Sequence, residues 1–268
     1  MSWWGKVIGG AVGFAVSGPI GALLGAAIGH SFDKGVSGIE AMAPDELSTE
    51  SIQAAFFTAT FSIMGRIAKS DGIVSQSEIN VAQATMARMQ LNSEQQQAAQ
   101  ALFNKGKASD FDYQAVAKQL RKECVRRTNL LQMFLEIQIA TALADGELHN
   151  LEQSLLLELA EILGFKRAQF EQLLAMAAAQ QRFTGHHGAH EQQNSASQLE
   201  EAYDVLGLDK NCSDQELKRA YRRLMSQHHP DKLVAKGLPE EMMKLATEKT
   251  QQIKDAYDIV KQNRNIKR

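Results

Sequence analysis

From Val7 to Gly29 the chain reads "VIGGAVGFAVSGPIGALLGAAIG", 23 residues without a charge. At about 1.5 Å per residue such a helix is about 34 Å long, enough to cross a hydrocarbon core of about 30 Å. The run predicts one transmembrane helix: a signal peptide has a shorter apolar core and a cleavage motif, and Trp3 and Trp4 suit interfacial anchors. Gly9, Gly13, Ser17, Gly21, Gly25 and Gly29 recur every fourth residue, laying a strip of small side chains along one face. Close backbone approach along that strip predicts a homodimer through the span, with Pro19 a kink near its middle. Lys6 before the run and Lys34 after it leave the charge rule for orientation nearly balanced, leaning slightly to an inside N-terminus.

Past the span, only four prolines and abundant Ala, Gln, Leu, Glu, Lys and Met favour helix throughout, so the expected fold class is all-α. The expected organisation is tail and span over 1–30, a connector over 31–48, a helical domain over 49–180, a flexible linker over 181–198 and a terminal domain over 199–268. A net charge of −2 gives no general electrostatic reason to bind nucleic acid. Cys124 and Cys212 form no CxxC pair, and no Walker-type phosphate loop is present. Neither a cofactor nor an enzymatic activity is expected.

The central region contains a duplication at a spacing of 74 residues. "IAKSDGIVSQSEINVAQATMARMQL" aligns with "TALADGELHNLEQSLLLELAEILGF", matching Ala68 with Ala142, Asp71 with Asp145, Glu78 with Glu152, and Met89 with Leu163. The Gly-to-Glu spacing is that of the second half of an EF-type calcium loop, but Ile67, Lys69, Thr141 and Leu143 occupy the early ligand positions. The structural reading is a tight turn at each Gly followed by a helix start, with Ser75 and Glu78 as a capping box. "ALADGELHNLEQSLL" resembles the TerB-like, tellurite-resistance-associated helical domain over residues 50–180. That resemblance links acidic turns to metal ions, making Asp71, Glu78, Asp145 and Glu152 weak metal candidates beside the favoured role of scaffold or interaction module.

Lys118, Arg121, Lys122, Arg126 and Arg127 form a basic strip able to face an acidic partner or lipid headgroups, but a solvated helix face is the usual meaning of such a run. In the linker, His186, His187 and His190 have no fixed fourth ligand, so only an adventitious metal site is expected there.

The terminal region predicts three helices: Glu200 to Leu206, stopped by Gly207; a second opened by the capping box Ser213 and Glu216; and a third from Pro239 to Gln262. Leu217, Ala220, Tyr221, Leu224 and His228 make the apolar stripe of the second helix, opposite Lys218, Arg219, Arg222 and Arg223. The third is expected to bury Met243, Ala246, Ile253, Tyr257 and Val260, leaving His229, Pro230 and Asp231 at the exposed tip of a hairpin.

"YDVLGL", "LKRAYRRLMSQHHPDK" and "IKDAYDIV" resemble the J domain of DnaJ-type co-chaperones. The resemblance implies that His229, Pro230 and Asp231 stimulate ATP hydrolysis by a DnaK-type partner. It also implies that Lys218, Arg219, Tyr221, Arg222, Arg223 and Lys232 dock on that partner's acidic surface. The Gly/Phe-rich segment and zinc modules of full DnaJ are missing from the sequence, so client binding through them is not expected. Span, TerB-like centre and C-terminal J domain together resemble the membrane-anchored DnaJ-like co-chaperones of Gram-negative bacteria. That implies an inner-membrane protein with a periplasmic N-terminus and residues 31–268 in the cytoplasm, where DnaK and ATP are, and a link to envelope signalling and capsule control. The alternative is a membrane-tethered metal or tellurite-response sensor centred on the acidic turns.

Overall fold

The structure, a computed structural model, describes residues 44–70, 76–89, 91–143, 148–186 and 195–265. The expected span with its Gly/Ser strip, and Asp71 and Asp145, lie outside these residues, as does the side chain of Glu78. The described residues are all-α, without a strand, and none of their helices is long and apolar enough to cross a membrane.

Helix α1 (Pro44–Ala68) is the axis of the central domain. Ile52, Ala55, Phe56, Phe57, Ala59, Phe61, Ile63 and Met64 are all buried, so the helix is covered on every side rather than along one stripe. Two of its buried hydroxyl groups bond backward: Thr60 Oγ1 donates to the Phe56 carbonyl and Ser62 Oγ to that of Thr58, each at 2.7 Å. The helix begins four residues before the expected end of the connector, because Pro44 followed by Asp45 and Glu46 is a favourable first turn.

Next in the chain, α2 (Gln76–Arg88) packs against α5 (Thr128–Ala142), while α3 (Ser93–Gly106), α4 (Tyr113–Glu123), α5 and α6 (Asn150–Leu163) pack around this axis. The duplication is visible in the helix ends: α1 stops at Ala68 and α5 at its aligned partner Ala142, and both are buried. Met89 and Leu163, aligned one helix later, are buried as well. Between α1 and α3 the backbones touch, since a Cβ on Gly65 would land on the Phe103 carbonyl and one on Gly106 on the Ser62 carbonyl.

Helix α7 (Arg167–His186) belongs to both domains. Phe170, Leu173 and Ala177 enter the central core, whereas Met176, Ala179 and Phe183 enter a second core with Tyr203, Leu206, Leu217, Leu224, Ile253 and Val260. The linker expected over 181–198 is therefore shorter on both described sides: α7 continues to His186, and α8 (Ser195–Leu206) starts before Leu199. Buried Phe183 explains the extension, for a helix continues where its next side chain has a core to enter.

The terminal domain adds α9 (Asp214–His228), α10 (Pro230–Val234), a 3₁₀ turn (Glu240–Met242) and α11 (Met243–Asn263). Both expected stop and start signals are realised. Gly207 has φ 65° and ends α8, and Ser213 and Glu216 cap α9 through Ser213 N–H to Glu216 Oε2 at 2.7 Å and Glu216 N–H to Ser213 Oγ at 3.3 Å. The third helix starts at Met243, not Pro239, and Met243 is 42% exposed rather than buried, because the 3₁₀ turn carries Met242 inward in its place.

The hairpin tip is not free. Leu233, Leu238, Met242, Leu245 and Ala246 join the central core, and Gly237 lies against Ile52 of α1. At the centre of this joint is Glu136 of α5, 6% exposed. Its two oxygens each lie 3.0 Å from His228 Nε2, and Lys249 Nζ is 3.0 Å from Oε2. His228 Nδ1 is 3.0 Å from the Leu224 carbonyl, so both ring nitrogens face oxygen atoms. Lys249 also donates to Gln180 Oε1 at 2.5 Å, and the rim adds Gln95 to Glu241 at 2.6 Å and an Arg88–Glu248 ion pair. Burial alone raises a carboxyl's pKa; here the charges of His228 and Lys249, with hydrogen bonds from His228 and Gln132, outweigh it and hold Glu136 well below the usual range.

Gly106→Ala forces α1 and α3 apart and should cost about 1–3 kcal/mol by chemical denaturation. Glu136→Ala strands His228 and Lys249 in the joint and should cost about 3–5 kcal/mol. Because the folded carboxyl sits below its unfolded value of about 4.3, its stabilisation is complete above that pH and is lost as pH falls through the folded value. Glu136→Gln should flatten that acid-side loss, read from denaturation midpoints across the pH range.

Candidate functional site

The chain turns at His229 because proline follows it. His229 caps α9 with φ −59° and ψ 122°, the extended conformation that a residue before proline prefers, and Pro230 opens α10, where its missing N–H costs no hydrogen bond. Leu233 N–H donates to the His229 carbonyl at 3.0 Å, tying the short helix back to the turn. Asp231 lies exposed in the first turn of α10, where the helix dipole favours a carboxylate. His229 is half-buried; its Nδ1 is shielded from solvent without a hydrogen-bond partner among the described residues.

Beside this turn, α9 presents Lys218, Arg219, Arg222 and Arg223, all exposed and none in an ion pair among the described residues. The capping box sets where α9 starts and so which way these four point, while Leu217, Ala220 and Leu224 hold the opposite face in the core. Tyr221 does not sit in the open patch: it is half-buried, with its ring stacked on Tyr257 at 4.1 Å and 19°. Lys232 is exposed and donates to Ser226 Oγ at 2.9 Å, on the same side of the turn as the end of α9. The site is a positive surface ending in a rigid His-Pro-Asp turn, suited to binding an acidic protein surface.

His228, read from the sequence as a core residue, is buried, yet its partner is the carboxylate of Glu136 on another domain. Glu136 and Lys249 were not singled out, although a lone acid in the apolar run "LLQMFLEIQIATALA" is a signal for a buried charge seeking a partner. Arg264 was missed too. It donates to Tyr203 Oη at 2.6 Å, the Cys212 carbonyl at 2.7 Å, the Lys210 carbonyl at 2.9 Å and Asp214 Oδ1 at 3.0 Å, closing the far end of the terminal domain.

Of the four metal candidates, only Glu152 has a described side chain. It is 5% exposed and accepts the His149 N–H at 3.0 Å, the helix-start role. No group of three potential metal ligands occurs among the described residues.

Three family models match the chain: the transmembrane domain of co-chaperone DjlA over residues 1–39, tellurite resistance protein TerB over 57–175, and the DnaJ domain over 201–268. No solved structure matches it. The co-chaperone protein DjlA of Photobacterium profundum is 43% identical over 276 residues, covering 98% of this chain and all of the relative. Those of Escherichia coli K12, 43% identical over 274 residues, and Yersinia pseudotuberculosis, 40% over 280, align with all of both chains. With a DnaJ-type helical hairpin, a TerB domain beneath it and a membrane segment in front, the chain belongs to the DjlA family of membrane-anchored co-chaperones.

Proposed function

We propose that this chain recruits a DnaK-type chaperone to the inner membrane and stimulates its ATP hydrolysis. The observation that carries the reading is the adjacency of the rigid His229-Pro230-Asp231 turn to four exposed cations that have no ion-pair partner among the described residues. Unpaired charge on Lys218, Arg219, Arg222 and Arg223 steers and orients an acidic partner, and the turn makes the contact that acts on the partner's nucleotide cycle. Tyr221 supports the face from beneath through its stack on Tyr257, and Lys232 extends it past the turn. ATP belongs to the partner, and the chain acts as a regulator, not an enzyme.

The joint at Glu136 gives the central domain a role in this reading. By holding both His228 and Lys249, it sets the direction in which the adjacent His229 faces relative to the domain that follows the membrane segment. Since ATP-loaded chaperone is cytosolic, residues 31–268 face the cytoplasm and the N-terminus the periplasm. The strip Gly9, Gly13, Ser17, Gly21, Gly25 and Gly29 pairs two chains through their spans, and the output of the cycle is envelope signalling and capsule control. Of the four ligands that the metal-sensor alternative needs, Glu152 is the one with a described side chain, and it caps a helix.

With full-length protein in vesicles and purified DnaK, His229→Gln is expected to abolish ATPase stimulation; undiminished stimulation overturns the proposal. Arg222→Ala with Arg223→Ala should slow association about tenfold and weaken its salt dependence, measured by stopped flow. For the dimer, Gly21→Leu with Gly25→Leu should lower self-association in the bilayer, read by energy transfer between labelled chains; an unchanged signal removes the pairing strip.

A further inference from the structure

A second basic surface lies on the central domain, remote in sequence from the chaperone-docking turn. Lys118, Arg121 and Lys122 occupy the last turns of α4, and Arg126 and Arg127 follow in the loop to α5. A cavity of about 460 Å³ opens among Lys118, Arg121, Lys122, Arg126 and Thr128, floored by Phe165, and no carboxylate lines it. None of the five cations is in an ion pair among the described residues; Arg121 alone is tied down, donating from Nη1 to the Ile162 carbonyl at 2.9 Å. Arg126 has φ 63°, a left-handed backbone that costs a non-glycine residue energy, and beside it Val125 is 62% exposed. An apolar side chain held outward among unpaired cations is the pattern of a surface that meets lipid headgroups.

The position of the patch selects among anionic partners. Ser51 Oγ donates to Glu123 Oε2 at 3.2 Å, so the end of α4 lies beside the start of α1. That start is where the membrane-matching segment enters the domain: fourteen residues separate Gly29 from Pro44, no more than about 50 Å when fully extended. The patch and the tether thus leave the domain at the same end. Glu123 opposes an anionic surface there, but five cations outnumber it.

We propose that Lys118, Arg121, Lys122, Arg126 and Arg127, with Val125, form a docking surface for the anionic phospholipid headgroups of the membrane that anchors the chain. The cavity receives a headgroup phosphate and Val125 enters the interface. Docking lays the domain on the bilayer and thereby sets the height of the His-Pro-Asp turn above it.

The test uses the full chain in phosphatidylcholine vesicles with or without phosphatidylglycerol. A fluorophore sensitive to polarity is attached through Val125→Cys, with Cys212→Ser to remove the half-exposed thiol; burial pushes the Cys124 thiol up to about 12, so it does not compete for the label at neutral pH. Blue-shifted emission that requires phosphatidylglycerol and is reversed by salt is expected. Lys118→Gln, Lys122→Gln and Arg126→Gln, all at exposed positions, should each lower the docked-to-undocked ratio about fivefold. Equal emission in the two vesicle types overturns the proposal, and that comparison uses no charge variant. The same shift produced in pure phosphatidylcholine by inorganic phosphate, or by added DnaK, overturns it in favour of a free anion or an acidic protein.

Discussion

A carboxylate buried between two domains demands polar or charged partners, and Glu136 obtains them from two helices at once. His228 comes from the end of α9 and Lys249 from the second turn of α11, so the two arms of the terminal hairpin are held against α5 by one side chain. Leu233, Leu238, Met242 and Leu245 of the terminal domain join the central core, and Glu136 is only 6% exposed, so solvent screens these charges little. With α7 running through both cores, the terminal domain is seated on the central one and its orientation is specified. The turn at His229 inherits that orientation, since it is the residue after His228.

Two basic surfaces then acquire different meanings from their surroundings. On α9 the cations flank a proline-fixed turn, and Tyr221 is stacked inward to stiffen the helix beneath them. On α4 and its following loop they surround a cavity next to an exposed valine, at the end of the domain from which the membrane tether leaves. The cations of α9, and Lys118, Arg121 and Lys122 of α4, fall on helix faces whose opposite sides are buried, which keeps them at the surface.

Much of the fold was legible because it is written in local chemistry. The capping box at Ser213 and Glu216, the stop at Gly207, the His-Pro-Asp turn and the duplicated helix pair each depend on residues a few positions apart, and each has its expected place. The linker and the tip were misjudged for the opposite reason. Polar composition around 181–186 indicated a loop, but Phe183 finds a core contributed by α8, α9 and α11. The hairpin tip at His229, Pro230 and Asp231 was expected to be exposed, yet Leu233 and Leu238 just beyond it pack on a domain more than fifty residues earlier in the chain.

The sequence by itself determined the helical class, the capping box at Ser213 and Glu216, the charge-free segment over 7–29 and the His-Pro-Asp turn, because periodicity, capping and proline chemistry act over one or two turns. Only the tertiary structure decided which polar groups are buried and with whom. A lone Glu136 in an apolar helix shows that a partner is needed, but the partners lie 92 and 113 positions away, and nothing local encodes a separation that long.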